Sequence, residues 1–105
     1  MSYGISKRSM ELIINAFMKQ REIDRASIFG SRSMGNYKSG SDVDIAIYGT
    51  NISIEIVNKI NIELNEKLPL PYYFDIVHYD SLEHAGLKKH IDEFGKVFYS
   101  SMDKT

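Results

Sequence analysis

The chain has 105 residues, 43% of them hydrophobic and 26% charged, which is ordinary for one folded globular domain (residues 1–105) and too short for a separate substrate-binding module. Thirteen basic against 14 acidic residues leave a formal net charge of −1, scattered without a basic block, so direct nucleic-acid binding is not expected. The absence of cysteine excludes disulfides, thiolate zinc sites and cysteine nucleophiles.

The segment from Met1 to Arg8 leads into an amphipathic pattern, not a continuous apolar signal region, and no run approaches the length of a membrane span. A cytoplasmic protein without membrane attachment is expected. Met10, Ile13, Ile14, Phe17 and Met18 recur at helical spacing and predict a first helix over Lys7 to Gln20. Ala26 to Phe29 forms a short strand candidate ending at Gly30, and Arg32 to Ser41, rich in serine and glycine, reads as a turn of helix followed by a loop. Asp42 to Tyr48 is a second strand.

Ile54, Val57, Ile60 and Leu64 share a helical face and predict a second long helix from Ser53 to Lys67, ended by Pro69 and Pro71. Tyr73 to Val77 is a third strand. Asp80 and Glu83 have the spacing of a capping box for a last helix that buries Leu82, Ala85, Ile91 and Phe94 and stops at Gly95, and Val97 to Tyr99 can add an edge strand. Without repeat or linker, this order predicts one compact α/β layer pair.

Alternate side chains of a strand point to opposite faces, so Asp42 and Asp44 project together while Val43, Ile45 and Ile47 project the other way. Their Cα atoms lie roughly 6.5 Å apart, within reach of one hard cation such as magnesium. Alone, two such acids more often mark a loop cap and a wet strand end than a metal site. Asp75 lies in an otherwise apolar strand, where a bare charge needs a partner or a metal. If that strand lies beside the second one, Asp75 faces Asp42 and Asp44, and three mutually repelling carboxylates call for a cation. Pairing of Asp75 with Arg25 or Arg32 is the structural alternative.

Gly30 allows a ligand close to the backbone, and Ser31 offers a hydroxyl and an amide to a phosphate. Arg32 can add charge to a phosphate contact or form a salt bridge. The Walker and dinucleotide-binding spacings are both absent. His78, His84 and His90 suit surface or partner-contact roles better than catalysis, and Tyr48, Tyr72 and Tyr73 suit packing better than base stacking.

Gly30-Ser31, the spacer, Asp42-x-Asp44 and the later Asp75 together resemble the polymerase-β-type nucleotidyltransferase superfamily. More narrowly, the chain resembles the MNT-type minimal nucleotidyltransferases, stand-alone domains of about this length encoded beside HEPN-domain partners in prokaryotes. The resemblance covers nearly the whole chain, and Gly-Ser-Arg-x-x-Gly ahead of Ser-Asp-x-Asp is more specific than either piece. Ser33 and Met34 stand where relatives often carry Ala and Arg.

The resemblance implies a two-layer α/β nucleotidyltransferase fold, a mixed sheet with helices packed mainly on one face. It also implies that Gly30 and Ser31, with Arg32 beside them, contact the phosphates of ATP, that Asp42 and Asp44 hold Mg2+, and that Asp75 completes a site of two ions and favours deprotonation of the acceptor hydroxyl. Such domains act as antitoxins, transferring AMP from ATP to a tyrosine of the HEPN toxin, a ribonuclease, and silencing it. A homo- or hetero-oligomer is compatible with that role. Two other readings stay open: an inactive module that neutralises its partner by covering it, and transfer of a nucleotide to a small molecule.

Overall fold

The computed structural model describes residues 3–101; Met1 and Ser2, the start of the segment read above as leading into the first helix, and residues 102–105 lie outside the described residues. Four helices and four strands alternate as α1 (Lys7–Met18), β1 (Arg25–Phe29), α2 (Ser31–Met34), β2 (Val43–Tyr48), α3 (Ile54–Ile62), β3 (Phe74–His78), α4 (Ala85–Phe94) and β4 (Lys96–Ser100).

Helix α1 begins where the Ser6 hydroxyl accepts a hydrogen bond from the Ser9 amide at 3.1 Å, satisfying one of the free donors of the first turn. It buries Ser9, Ile13, Ala16 and Phe17 at helical spacing and ends two residues earlier than predicted, as the Gln20 amide closes a tight turn onto the Phe17 carbonyl at 3.0 Å. Met18, assigned to the apolar stripe from its spacing, faces solvent.

Helix α3 runs on through Lys67 as a wider π-helical stretch from Glu63, so the expected span forms with a change of pitch. That stretch brings Asn65 against β3, where its side chain donates to the Phe74 carbonyl (3.0 Å) and accepts from the Phe74 amide (2.7 Å). Asn65 thus pairs with Phe74 as a neighbouring strand would.

The predicted capping box at Asp80 and Glu83 does not form. Tyr79–Ser81 make a single tight turn, Asp80 accepts from the Gly49 amide at 3.1 Å, and the helix starts later, at Ala85. The cap is His84, whose Nδ1 accepts from the Leu87 amide at 2.9 Å. An imidazole lone pair three residues ahead of a free amide does the work of the usual carboxylate or hydroxyl.

The sheet has the order β3-β2-β1-β4 and is mixed: β1 is antiparallel to β2 and to β4, whereas β2 and β3 are parallel. One face carries Ala26, Ile28, Val43, Ile45, Ile47, Phe74 and Ile76, packed with Ile13 and Phe17 of α1 and Ile60 of α3 into the main core. The opposite face is covered in part by α4, where Ile91 packs on Phe29 and Ala46, flanked by Tyr48, Val77 and Leu87. The two long helices therefore share one face as predicted, and the last helix crosses the other. Residues 44 and 75 belong to this second face, at the edge of what α4 shields.

Candidate active site

The parallel ladder sets Asp44 directly opposite Asp75, with Val43 opposite Phe74 and Ile45 opposite Ile76 on either side. Because each pair points to one face, the register that buries four apolar side chains also places two carboxylates side by side. Asp42 stands just ahead of β2 and is exposed, Asp75 is exposed at the sheet edge, and Asp44 is half-buried between them. Among the described residues no lysine or arginine forms an ion pair with any of the three.

Burial and then the charges of Asp75 and Asp42 push the Asp44 carboxyl above its ordinary range, partly offset by the Arg32 guanidinium. The site thus carries surplus negative charge close to a low-dielectric wall. Its donor set is hard oxygen, the kind that suits magnesium. Among the described residues no three His, Asp or Glu side chains are drawn into a ready metal cage, as expected of like charges that repel one another.

Gly30 ends β1 and begins α2 with φ +75° and ψ −153°, a conformation largely restricted to glycine. A Cβ on this residue would collide with Asp44 Oδ2. The turn therefore lies directly on the central acid, leaving a cradle that a side chain would fill. Beside it, the Ser31 hydroxyl makes no hydrogen bond to the described residues, while the Ser33 hydroxyl returns to the Gly30 carbonyl at 2.9 Å and braces the turn from within.

Arg32 is 3% exposed, and its guanidinium is taken up by backbone carbonyls. Its Nη2 and Nε donate to the Ser41 carbonyl at 2.7 and 3.2 Å, and its Nη1 donates to the Tyr3 carbonyl at 3.0 Å. The rings of Tyr37 and Tyr72 flank the guanidinium, with their centroids 5.1 and 5.3 Å away. Arg25, the other alternative partner for Asp75, lies over the Tyr48 ring at 4.3 Å.

The six residues singled out from the sequence thus gather around one end of β2: Gly30 and Asp44 in contact, Asp75 opposite, Asp42 at the strand's mouth, Ser31 at the turn and Arg32 behind it. The residue missed is His90, whose Nε2 accepts the Gly30 amide hydrogen at 3.1 Å. Its one sequence sign is the i, i+4 pairing with Phe94 on α4, which gains meaning only once α4 is known to cross the second face of the sheet.

Comparison with solved structures finds the same fold in several toxin–antitoxin complexes. A chain of a toxin–antitoxin crystal structure with AMP-PNP superposes with a TM-score of 0.71 at 22% identity, covering 90% of this chain and 76% of that one. A chain of the MntA–HepT toxin–antitoxin gives 0.67 at 18% identity, covering 93% and 76%. A chain from the tri-AMPylated Shewanella oneidensis HEPN toxin in complex with MNT antitoxin gives 0.59 at 20% identity, covering 90% and 76%. Among curated proteins none matches. The model of the polymerase beta nucleotidyltransferase family matches residues 11–104, nearly the whole chain and every acid of the site, and the protein belongs to that family.

Proposed function

We propose that the chain is a magnesium-dependent nucleotidyltransferase of the MNT type, which moves AMP from ATP to a hydroxyl of a HEPN-domain partner protein and acts as the antitoxin of that pair. The observation that carries this reading is the placement of Asp44 opposite Asp75 with the Gly30 turn lying against it. The likeness to chains of HEPN–MNT complexes supports the choice of partner, and the AMP-PNP in one of them supports an adenine nucleotide.

In this reading Gly30 and Ser31 seat the phosphates, using the bare Cα surface and the Ser31 amide and hydroxyl. Asp42, Asp44 and Asp75 would hold magnesium, which would supply charge neutralisation for the phosphates and for the attacking and leaving oxygens. The exposed Asp75 carboxylate also draws the proton from the acceptor hydroxyl as its oxygen attacks the α-phosphorus in line. A bond forms from that oxygen to phosphorus, the bond to the β-phosphate oxygen breaks, and pyrophosphate leaves. No covalent intermediate on the protein is needed. Arg32 serves the site from behind, holding Ser41 and so the approach to Asp42.

These groups lie around one end of β2, and in this reading the HEPN partner presents the hydroxyl to them. Incubating the chain with its neighbour-encoded HEPN protein, magnesium and ATP labelled at the α-phosphate should transfer label to the partner, and Asp44→Asn should abolish transfer. Absence of transfer under any divalent metal rejects the enzymatic reading. Partner neutralisation that persists in Asp42→Asn and under chelation would mark a module acting by coverage, and label on a small hydroxyl compound would mark a different acceptor.

A further inference from the structure

We infer that His90 is a positioning residue for the nucleotide turn, acting through its hydrogen bond with the Gly30 amide. The inference rests on the transferase reading above. A backbone N–H only donates, so the 3.1 Å contact requires an unprotonated Nε2, and the neutral ring carries its proton on Nδ1. That is the less common tautomer of a free imidazole, selected here by its partner.

The ring is held before it meets the turn. Phe29 meets it edge-on at 6.0 Å between centroids, and Phe94, one helical turn further along α4, lies at 5.1 Å. Ile91 next to it is buried on Phe29 and Ala46, which anchors this part of α4 to the sheet. His90 thus transmits the fixed position of a packed helix to the Phe29–Gly30 peptide, the first of the two that join β1 to α2.

That peptide is where the site has least tolerance. Gly30 needs its positive φ to pass Asp44, and rotation of the Phe29–Gly30 peptide would move both the cradle over Asp44 and the direction of Ser31. Water could satisfy a free Gly30 amide, so the ring contributes a preset orientation more than the mere pairing of a donor. In this respect α4 belongs to the site, although it supplies none of the carboxylates.

The test uses the full chain and three variants. His90→Phe keeps a flat ring between Phe29 and Phe94 and removes the acceptor, His90→Gln can return an acceptor oxygen near the position of Nε2, and His90→Ala removes both. With the α,β-methylene analogue of ATP and magnesium, His90→Phe and His90→Ala should bind roughly 2- to 10-fold more weakly than wild type, the range of one hydrogen bond, and His90→Gln should recover most of the loss. In transfer kinetics KM for ATP should rise while kcat changes less. Long-range nitrogen-15 NMR of the wild type should show Nε2 bare and Nδ1 protonated. Wild-type binding by a folded His90→Phe chain, or a protonated Nε2, overturns the inference. If the wild type itself binds no nucleotide, the transferase reading falls, while the ring spectrum still upholds or overturns the His90–Gly30 contact.

Discussion

Arg32 closes on the carbonyl of Ser41, the residue immediately ahead of Asp42, with Nη2 at 2.7 Å and Nε at 3.2 Å. One guanidinium thereby ties the helix after the Gly-Ser turn to the loop that delivers the first acid, and through the Tyr3 carbonyl to the segment before α1. A lysine carries the charge but not the planar fork, so Arg32→Lys should lose most of this bracing. Leaving two half-buried carbonyls poorly paired should destabilise the fold by about 1–3 kcal/mol. Urea unfolding should show a lower midpoint with an unchanged slope, and transfer by the folded fraction should require more magnesium as Asp42 loosens.

Asp44 illustrates the opposition of stability and function at such a site. Its carboxyl is raised by burial and by Asp75 and Asp42, so its folded pKa lies above its unfolded one. A group shifted that way favours folding below its unfolded pKa and loses that contribution as pH climbs through the folded value. At pH 7 and without metal, Asp44→Asn should therefore melt higher than wild type, by about 2–5 °C. The gap should narrow as pH falls into the carboxylate range, because protonation then gives the wild type the same relief. The same variant should lose transfer and gain no thermal protection from magnesium and ATP, whereas the wild type should gain it by mass action.

Gly30→Ala tests the close approach of turn and acid. The φ of +75° with ψ near −153° is strained for alanine, and its Cβ would meet Asp44 Oδ2. The expected cost is about 1–3 kcal/mol, visible as a lower unfolding midpoint. Partial relief should appear in the double variant Gly30→Ala, Asp44→Ala, where the collision is gone and only backbone strain remains. A double-mutant cycle with no coupling between the two positions would contradict the contact.

The elements and the acids could be read in the sequence because each is a local pattern with a physical cause. The 3.6-residue spacing of Ile13 and Phe17 and the period of two through Val43, Ile45 and Ile47 specify which face is buried. Given parallel pairing of β2 and β3, the face of Asp75 then follows, since burying Phe74 and Ile76 with Val43, Ile45 and Ile47 turns Asp75 to the side of Asp44, whereas its place directly opposite Asp44 is set by the register of the folded sheet. His90 and His84 escaped because their roles depend on which amide stands in front of the ring, a fact of tertiary approach that periodicity does not encode. Arg32 escaped in part for the same reason: an arginine beside a phosphate turn suggests an anion, while the carbonyls of Ser41 and Tyr3 that it meets lie 9 and 29 residues away in the chain. The predicted cap at Asp80 failed because its carboxylate found the Gly49 amide, a stronger claim than a helix start that could move to His84.

Asn65 offers the last prediction. β3 is an edge strand, and an edge strand exposes backbone donors and acceptors that invite another chain. Asn65 satisfies both groups of Phe74 with a single side-chain amide, made possible by the wider π-helical stretch that carries it alongside the strand. Asn65→Leu preserves bulk but leaves the Phe74 amide and carbonyl without this partner, for an expected loss of about 1–3 kcal/mol. Because β3 also carries Asp75, loosening this edge should weaken transfer along with the fold. Asn65→Asp can still accept from the Phe74 amide but sets a carboxylate against the Phe74 carbonyl, so it should fall at least as far as the leucine variant. Size-exclusion chromatography should add concentration-dependent self-association for Asn65→Leu, whose edge is open and uncharged, and less for Asn65→Asp, whose charge repels a second copy.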